Sequence, residues 1–159
     1  MLKGVRALAE NEPVKEILGR RLIPYHWSYG ESFTEFFKAT KERGAILASR
    51  CPVCKGVMVP AVHTCGRCYC EVDEFFDVPD EGELVAFTVV YLPFPGQPNE
   101  PPYCYGYLKF EGADTMFPHM IKEVEFDDIH MGMRVKAVWE DPDKRKGDLF
   151  DIKHFKPIE

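Results

Sequence analysis

Four cysteines constrain this chain more than any other feature. They fall as Cys51-x2-Cys54 and Cys65-x2-Cys68, with ten residues between the pairs. Two residues inside a pair let a tight turn aim both sulfurs at one point. The intervening Lys55 to Thr64 are enough for a short hairpin that returns the chain to that point. Zinc takes a tetrahedral set of soft thiolates, and four cysteines fill its coordination sphere with no position left for water. The spacing therefore predicts a zinc ribbon with Cys51, Cys54, Cys65 and Cys68 as structural ligands, and Gly56 and Gly66 relaxing the two turns. Iron accepts the same four ligands. A thiol-redox reading needs a single pair beside a βαβ pattern, which this sequence lacks. His63 and Cys70 each stand two residues from a ligand and are the alternative donors, with an expected place outside the coordination sphere. Such a metal staples a module too small to fold on its own core.

Around this ribbon the pattern divides 159 residues into three segments: an N-terminal helical arm at 1–44, the ribbon at 45–74 and a β-barrel at 75–159. Asn11-Glu12-Pro13 would open a short helix ending at Gly19. Ser32-Phe33-Thr34-Glu35 fits a capping box, in which serine and glutamate satisfy each other's orphan backbone donors. Phe33, Phe36, Phe37 and Thr40 then share one helical face, Gly44 is the stop, and Ala45 to Ser49 reads as a strand. The acidic run Glu71 to Glu81 reads as a hinge, after which the period changes to two. Leu84–Leu92, Tyr103–Phe110, Thr115–Val124, Met133–Glu140 and Asp148–Phe155 are strand candidates. The expected fold is mainly β with N-terminal helices, a four-cysteine zinc ribbon followed by a five-stranded OB-fold barrel.

Charge and composition exclude several functions. The net charge is −6, and residues 81–159 carry 15 acidic against 9 basic side chains, so no strong electrostatic groove for nucleic acid is expected. An OB-fold single-strand binder stacking bases on Tyr91, Phe94, Tyr103 and Tyr105 is the alternative reading, and a rubredoxin-like electron carrier a third. No apolar run approaches the roughly 20 residues that span a bilayer. Met1 to Glu10 has no signal-like apolar core, so a cytoplasmic location is expected. No nucleophile elbow, phosphate-cradling glycine loop or H-E-x-x-H helix is present. Cys104 with His119 or His130 would be the one candidate nucleophile and base, but it sits among Tyr103, Tyr105 and Tyr107 in a strand, where a buried core thiol is expected. The candidate partner or ligand surface comprises Phe33, Phe36 and Phe37, the proline-rich loop Pro93 to Pro102 with Phe94, Tyr103 beside it, and the basic run Lys144-Arg145-Lys146, which would meet a phosphate such as that of coenzyme A.

The combination resembles the acyl-CoA-associated proteins that join a rubredoxin-like zinc ribbon to an OB-fold. The stretch runs from about Trp27 to Pro157. The residues that carry it are Cys51-Pro52-Val53-Cys54, Cys65-Gly66-Arg67-Cys68, Gly82 to Val90, Pro101-Pro102-Tyr103, Gly132-Met133-Arg134-Val135 and Phe155-Lys156-Pro157. The resemblance implies a subunit without catalytic residues of its own that docks on a thiolase-like dimer and helps shape acyl-CoA access, in a hetero-oligomer where coenzyme A thioesters are handled. Related aldolases and hydratases also have such partners, and one pairing of this kind is with a benzoylsuccinyl-CoA thiolase. The family's second pair is often Cys-Pro-x-Cys, whereas here Cys65-Gly66-Arg67-Cys68 is followed by Cys70. The extension Met1 to Pro24 exceeds the motif and is expected to be a partner-wrapping arm.

Overall fold

Gly44 ends the first described helix and turns the chain into its first strand. In the computed structural model, which describes residues 25–97 and 99–158, helix α1 spans Gly30–Arg43. Gly44 adopts the left-handed conformation (φ 60°, ψ 47°), and its N–H and that of Ala45 return to the carbonyls of Thr40 and Ala39. A residue with a Cβ is disfavoured there, so glycine closes the helix cleanly. The start of α1 differs from expectation. Ser32 lies inside the helix and caps nothing; Ser28 Oγ instead accepts the Gly30 N–H at 3.2 Å, and Glu35 pairs with Lys38 at 2.7 Å. The expected helix at 11–19 and the arm at 1–24 lie outside the described residues.

Strands β1 (Ile46–Arg50), β2 (Val57–Met58) and β3 (Glu74–Val78) form an antiparallel sheet in the order β2-β1-β3. Pairing of β1 with β2 closes a hairpin around the first cysteine pair rather than between the pairs. The acidic run read as a hinge contains β3, which pairs with β1 from Ile46–Val78 to Arg50–Glu74. Its carboxylates are exposed and find cations across the sheet: Asp77 meets Arg43 at 2.7 Å and Glu74 meets Arg50 at 3.1 Å. Acidity there is an outer face, not a linker.

Strands β4 (Glu81–Val90), β5 (Tyr103–Phe110), β6 (Phe117–Ile121), β7 (Arg134–Trp139) and β8 (Ile152–Pro157) close a barrel in the order β4-β5-β6-β8-β7, with β7 returning to β4. One parallel pairing, β6 to β8, completes a ladder that is otherwise antiparallel. This is the five-stranded OB-fold arrangement anticipated from the period-two pattern. Alternation is clearest in β5, where Cys104, Gly106, Leu108 and Phe110 face inward and Tyr105, Tyr107 and Lys109 outward. Leu84, Leu108, Phe110, Ile121, Val135, Ile152 and Phe155 fill the interior.

The ribbon sheet and the barrel share one core. Phe36 and Ala39 of α1, and Ile46 to Ala48 of β1, belong to the same buried cluster as Leu84, Phe110, Phe117 and Phe155. The Phe36 ring sits 6.1 Å from that of Phe117. A second, smaller cluster gathers Cys51, Cys65 and Val72 with Cys54, Met58, Cys68 and Cys70.

Candidate metal centre

Two turns of nearly identical construction build the site. In the first, the Lys55 N–H donates to the Cys51 carbonyl at 3.0 Å and the Cys54 N–H to Cys51 Sγ at 3.4 Å. In the second, the Tyr69 N–H donates to the Cys65 carbonyl at 2.8 Å and the Cys68 N–H to Cys65 Sγ at 3.4 Å. The positive-φ positions are Lys55 (61°) and Tyr69 (56°), each directly after the second cysteine of its pair. Gly56 and Gly66 were expected to relax these turns, but neither has positive φ, because the strained step falls one residue before Gly56 and three after Gly66.

The turns bring the sulfurs of Cys51, Cys54, Cys65 and Cys68 within 4.8 Å of one another, with Cys51 and Cys65 buried and the other two half-buried. Burial alone would push the Cys51 thiol up. The N–H groups of Cys54 and Val53, with the thiols of Cys54 and Cys70, more than offset it and bring Cys51 to about 6. Cys68 moves the other way, to about 12, because its thiol bonds to Cys54 and is buried beside Cys51 and Cys65. Four soft donors converging at this spacing suit a metal ion such as zinc. His63 is turned away: its Nδ1 is 3.1 Å from the Val72 carbonyl, and its Nε2 faces Glu31 at 3.7 Å.

Two residues that sequence reasoning missed tie this site to the barrel. Val57 N–H donates to Asp114 Oδ2 at 2.8 Å, and the Asp114 N–H donates to the Val57 carbonyl at 2.8 Å. Val59 N–H donates to Thr115 Oγ1 at 2.7 Å, and that hydroxyl donates to the Val59 carbonyl at 3.0 Å. An open cleft of about 510 Å³ lies at this seam, lined by Lys55, Arg67, Asp114 and Thr115 beside the cysteines. No local motif announces a contact across more than fifty positions.

The expected surface set does not form one patch. Phe36 must be removed from it: the ring is fully buried against Phe117, since it faces the shared core instead of solvent. Phe33 is exposed and Phe37 half-buried. Phe33 instead lines an open groove of about 640 Å³ with Tyr25, Trp27 and Tyr29, aromatics that the helical pattern did not single out. Phe94 is exposed in the loop after β4, and Tyr103 borders a cleft of about 330 Å³ with Thr88, Asn99, Tyr105 and Met120. The basic run is split in use. Lys144 pairs with Asp141 at 2.6 Å; Arg145 lies over the Trp139 ring, its Nε donating to the Glu140 carbonyl; the Lys146 side chain is exposed. Cys104 is fully buried, and burial pushes its thiol up, as a core position requires.

No helix among the described residues is long and apolar enough to cross a membrane. Comparison with known proteins matches residues 76–140 to the C-terminal OB-fold domain of ChsH2. No curated protein matches the chain. Among solved structures, a DUF35-family protein from Sulfolobus solfataricus is similar at 20% identity and a TM-score of 0.58, covering 69% of this chain and 78% of that one. The Ltp2-ChsH2(DUF35) aldolase is similar at 23% identity and a TM-score of 0.58, covering 77% of this chain and 91% of that one. The anticipated resemblance to a ribbon joined to an OB-fold is borne out by these matches and by the four-cysteine cluster.

Proposed function

We propose that this chain, whose residues 76–140 match the family of ChsH2 C-terminal OB-fold domains, is a non-catalytic partner subunit of a thiolase- or aldolase-type enzyme acting on coenzyme A thioesters. The observation that carries the reading is the likeness, over 77% of this chain, to a chain named for an Ltp2-ChsH2 aldolase. Cys51, Cys54, Cys65 and Cys68 would hold one zinc ion. With four thiolates around it, that ion supplies cross-linking, not an open coordination position for chemistry. The cross-link fixes the two cysteine turns, and Asp114 and Thr115 fix the ribbon to the barrel. The chain thereby offers an enzyme one rigid surface instead of two modules on a linker.

Surface aromatics, half-buried Tyr103 among them and the others exposed, are the recognition elements of this reading. Tyr25, Trp27, Tyr29 and Phe33 line one open groove, and Tyr103 and Tyr105 border another. Aromatic side chains with a polar tip are enriched where proteins meet, because they bury large area at small entropic cost. A thiolase is the preferred enzyme, and the partner dimer is where acyl-CoA access would be shaped.

Co-expression with a thiolase-like protein from the same source organism tests the proposal. The expected result is one stoichiometric complex in native mass spectrometry, with acyl-CoA turnover that needs the larger subunit. A chain that stays monomeric beside that enzyme would overturn it, as would turnover of acyl-CoA by this chain alone. Single-strand binding would stack bases on Tyr91, Phe94, Tyr103 and Tyr105, yet the acidic balance of the barrel opposes it. No retention of oligonucleotides at low salt is expected.

A further inference from the structure

The two cysteine turns share their bonding pattern, and where the first ends on Gly56 the second ends on a fifth thiol, Cys70. Cys51 N–H donates to the Gly56 carbonyl at 2.9 Å, and Cys65 N–H donates to the Cys70 carbonyl at 3.0 Å. Gly56 and Cys70 are therefore equivalent positions, each following a positive-φ residue. The position faces the sulfurs: a Cβ placed on Gly56 would lie 3.3 Å from Cys54 Sγ. Cys70 uses that aim. Its Sγ stands 3.5 Å from Cys51 Sγ, while Cys54 and Cys65 are 3.8 Å apart. Zinc–sulfur bonds of about 2.3 Å in a tetrahedron separate neighbouring sulfurs by about 3.8 Å. Cys70 is thus at ligand spacing from Cys51 while outside the four-cysteine set.

We infer that Cys70 is a reserve ligand, which takes the place of Cys51 when Cys51 leaves the site. The inference rests on the metal-centre reading above. In the exchange the Cys70 sulfur bonds to the metal and the Cys51 sulfur releases it. The Cys70 thiol proton passes to the departing Cys51 thiolate, so four thiolates and the site's net charge are retained. Half-buried Cys70 is the solvent-side member of this pair and Cys51 the buried one. A direct Sγ–Sγ contact lets the proton cross without an intermediary.

Cobalt(II) titration of the full chain reads the number of thiolates through the sulfur-to-cobalt charge-transfer intensity. Wild type and C70S should each bind one equivalent with four-thiolate intensity. C51S should keep that intensity, whereas C51S/C70S should lose about a quarter of it and bind at least tenfold more weakly. If C51S matches the double variant, or fails to fold, the reserve-ligand inference falls. If wild type itself binds no cobalt or zinc, the metal reading falls first. A second measurement uses the unmodified sequence: limited iodoacetamide alkylation of the zinc-loaded chain, mapped by mass spectrometry. Exchange requires singly labelled molecules of two kinds, at Cys70 and at Cys51. Label confined to Cys70 would overturn it.

Discussion

His119 lies inside the barrel opposite Gly106, packed between the rings of Phe117 and Phe155, with Nδ1 buried and without a hydrogen-bond partner among the described residues. Burial, the largest influence, holds its pKa below the ordinary histidine value; the Leu149 and Met120 backbone groups act the other way. A histidine kept neutral by folding adds stability that is fully present above its unfolded pKa of about 6.5. That contribution is lost as pH falls below this point, because the unfolded chain takes up the proton first. Urea midpoints are therefore expected to drop between pH 7 and pH 5, with a shallower slope in H119F. Gly106 itself is a second single-residue constraint. A Cβ there would collide with Leu84 Cδ1 and sit 3.2 Å from the Ala86 carbonyl. Gly106→Ala should cost about 1–3 kcal/mol by overpacking, read from urea unfolding of the purified chain.

Between elements, the seam joining β2 to the loop before β6 depends on two side chains. Replacing Asp114 by Ala removes the acceptor of the Val57 N–H, and Thr115→Val removes a hydroxyl that serves both polar groups of Val59. Each loss leaves backbone polar groups of a buried valine without their partner and should cost about 1–3 kcal/mol, Thr115→Val the more because it strands two. Hydrogen exchange gives the sharper readout: the Val57 and Val59 amides should lose protection while the Leu108 amide inside the barrel keeps it. Element ends show where local signals succeed. Gly44 was legible as a stop because the left-handed cap is a property of one residue. The capping box at Ser32 misled because the chain found an earlier start, with Ser28 taking the Gly30 N–H. Strand β3 was hidden for a different reason: its acidic residues look like a solvated linker until Arg43 and Arg50 stand opposite them.

For the whole molecule, the metal reading sets an order of events. One zinc per chain is expected. Chelation should make Cys51, Cys54, Cys65 and Cys68 react quickly with a disulfide reagent, whereas unliganded Cys70 reacts before chelation as well, and Cys104, fully buried in the barrel, reacts only when the barrel melts. Because α1, β1 and the barrel share one core, metal loss should also lower the melting temperature of the barrel, not the ribbon alone. A barrel transition unchanged by chelation would show that the ribbon is energetically separate.

The paired cysteines, the period-two strands, the helix stop and the inward place of Cys104 are legible in the chain, because each depends on neighbours a few positions away. Which aromatic rings are available, where the acidic run goes and which thiols meet depend instead on long-range packing. Phe33, Phe36 and Phe37 look alike in the chain; packing against Phe117 buries the second and leaves the first exposed. Cys70 and Cys51 are nineteen positions apart, and only the repeated turn geometry sets their sulfurs 3.5 Å apart. Contacts of that kind come from chain closure over long loops, which no local pattern encodes.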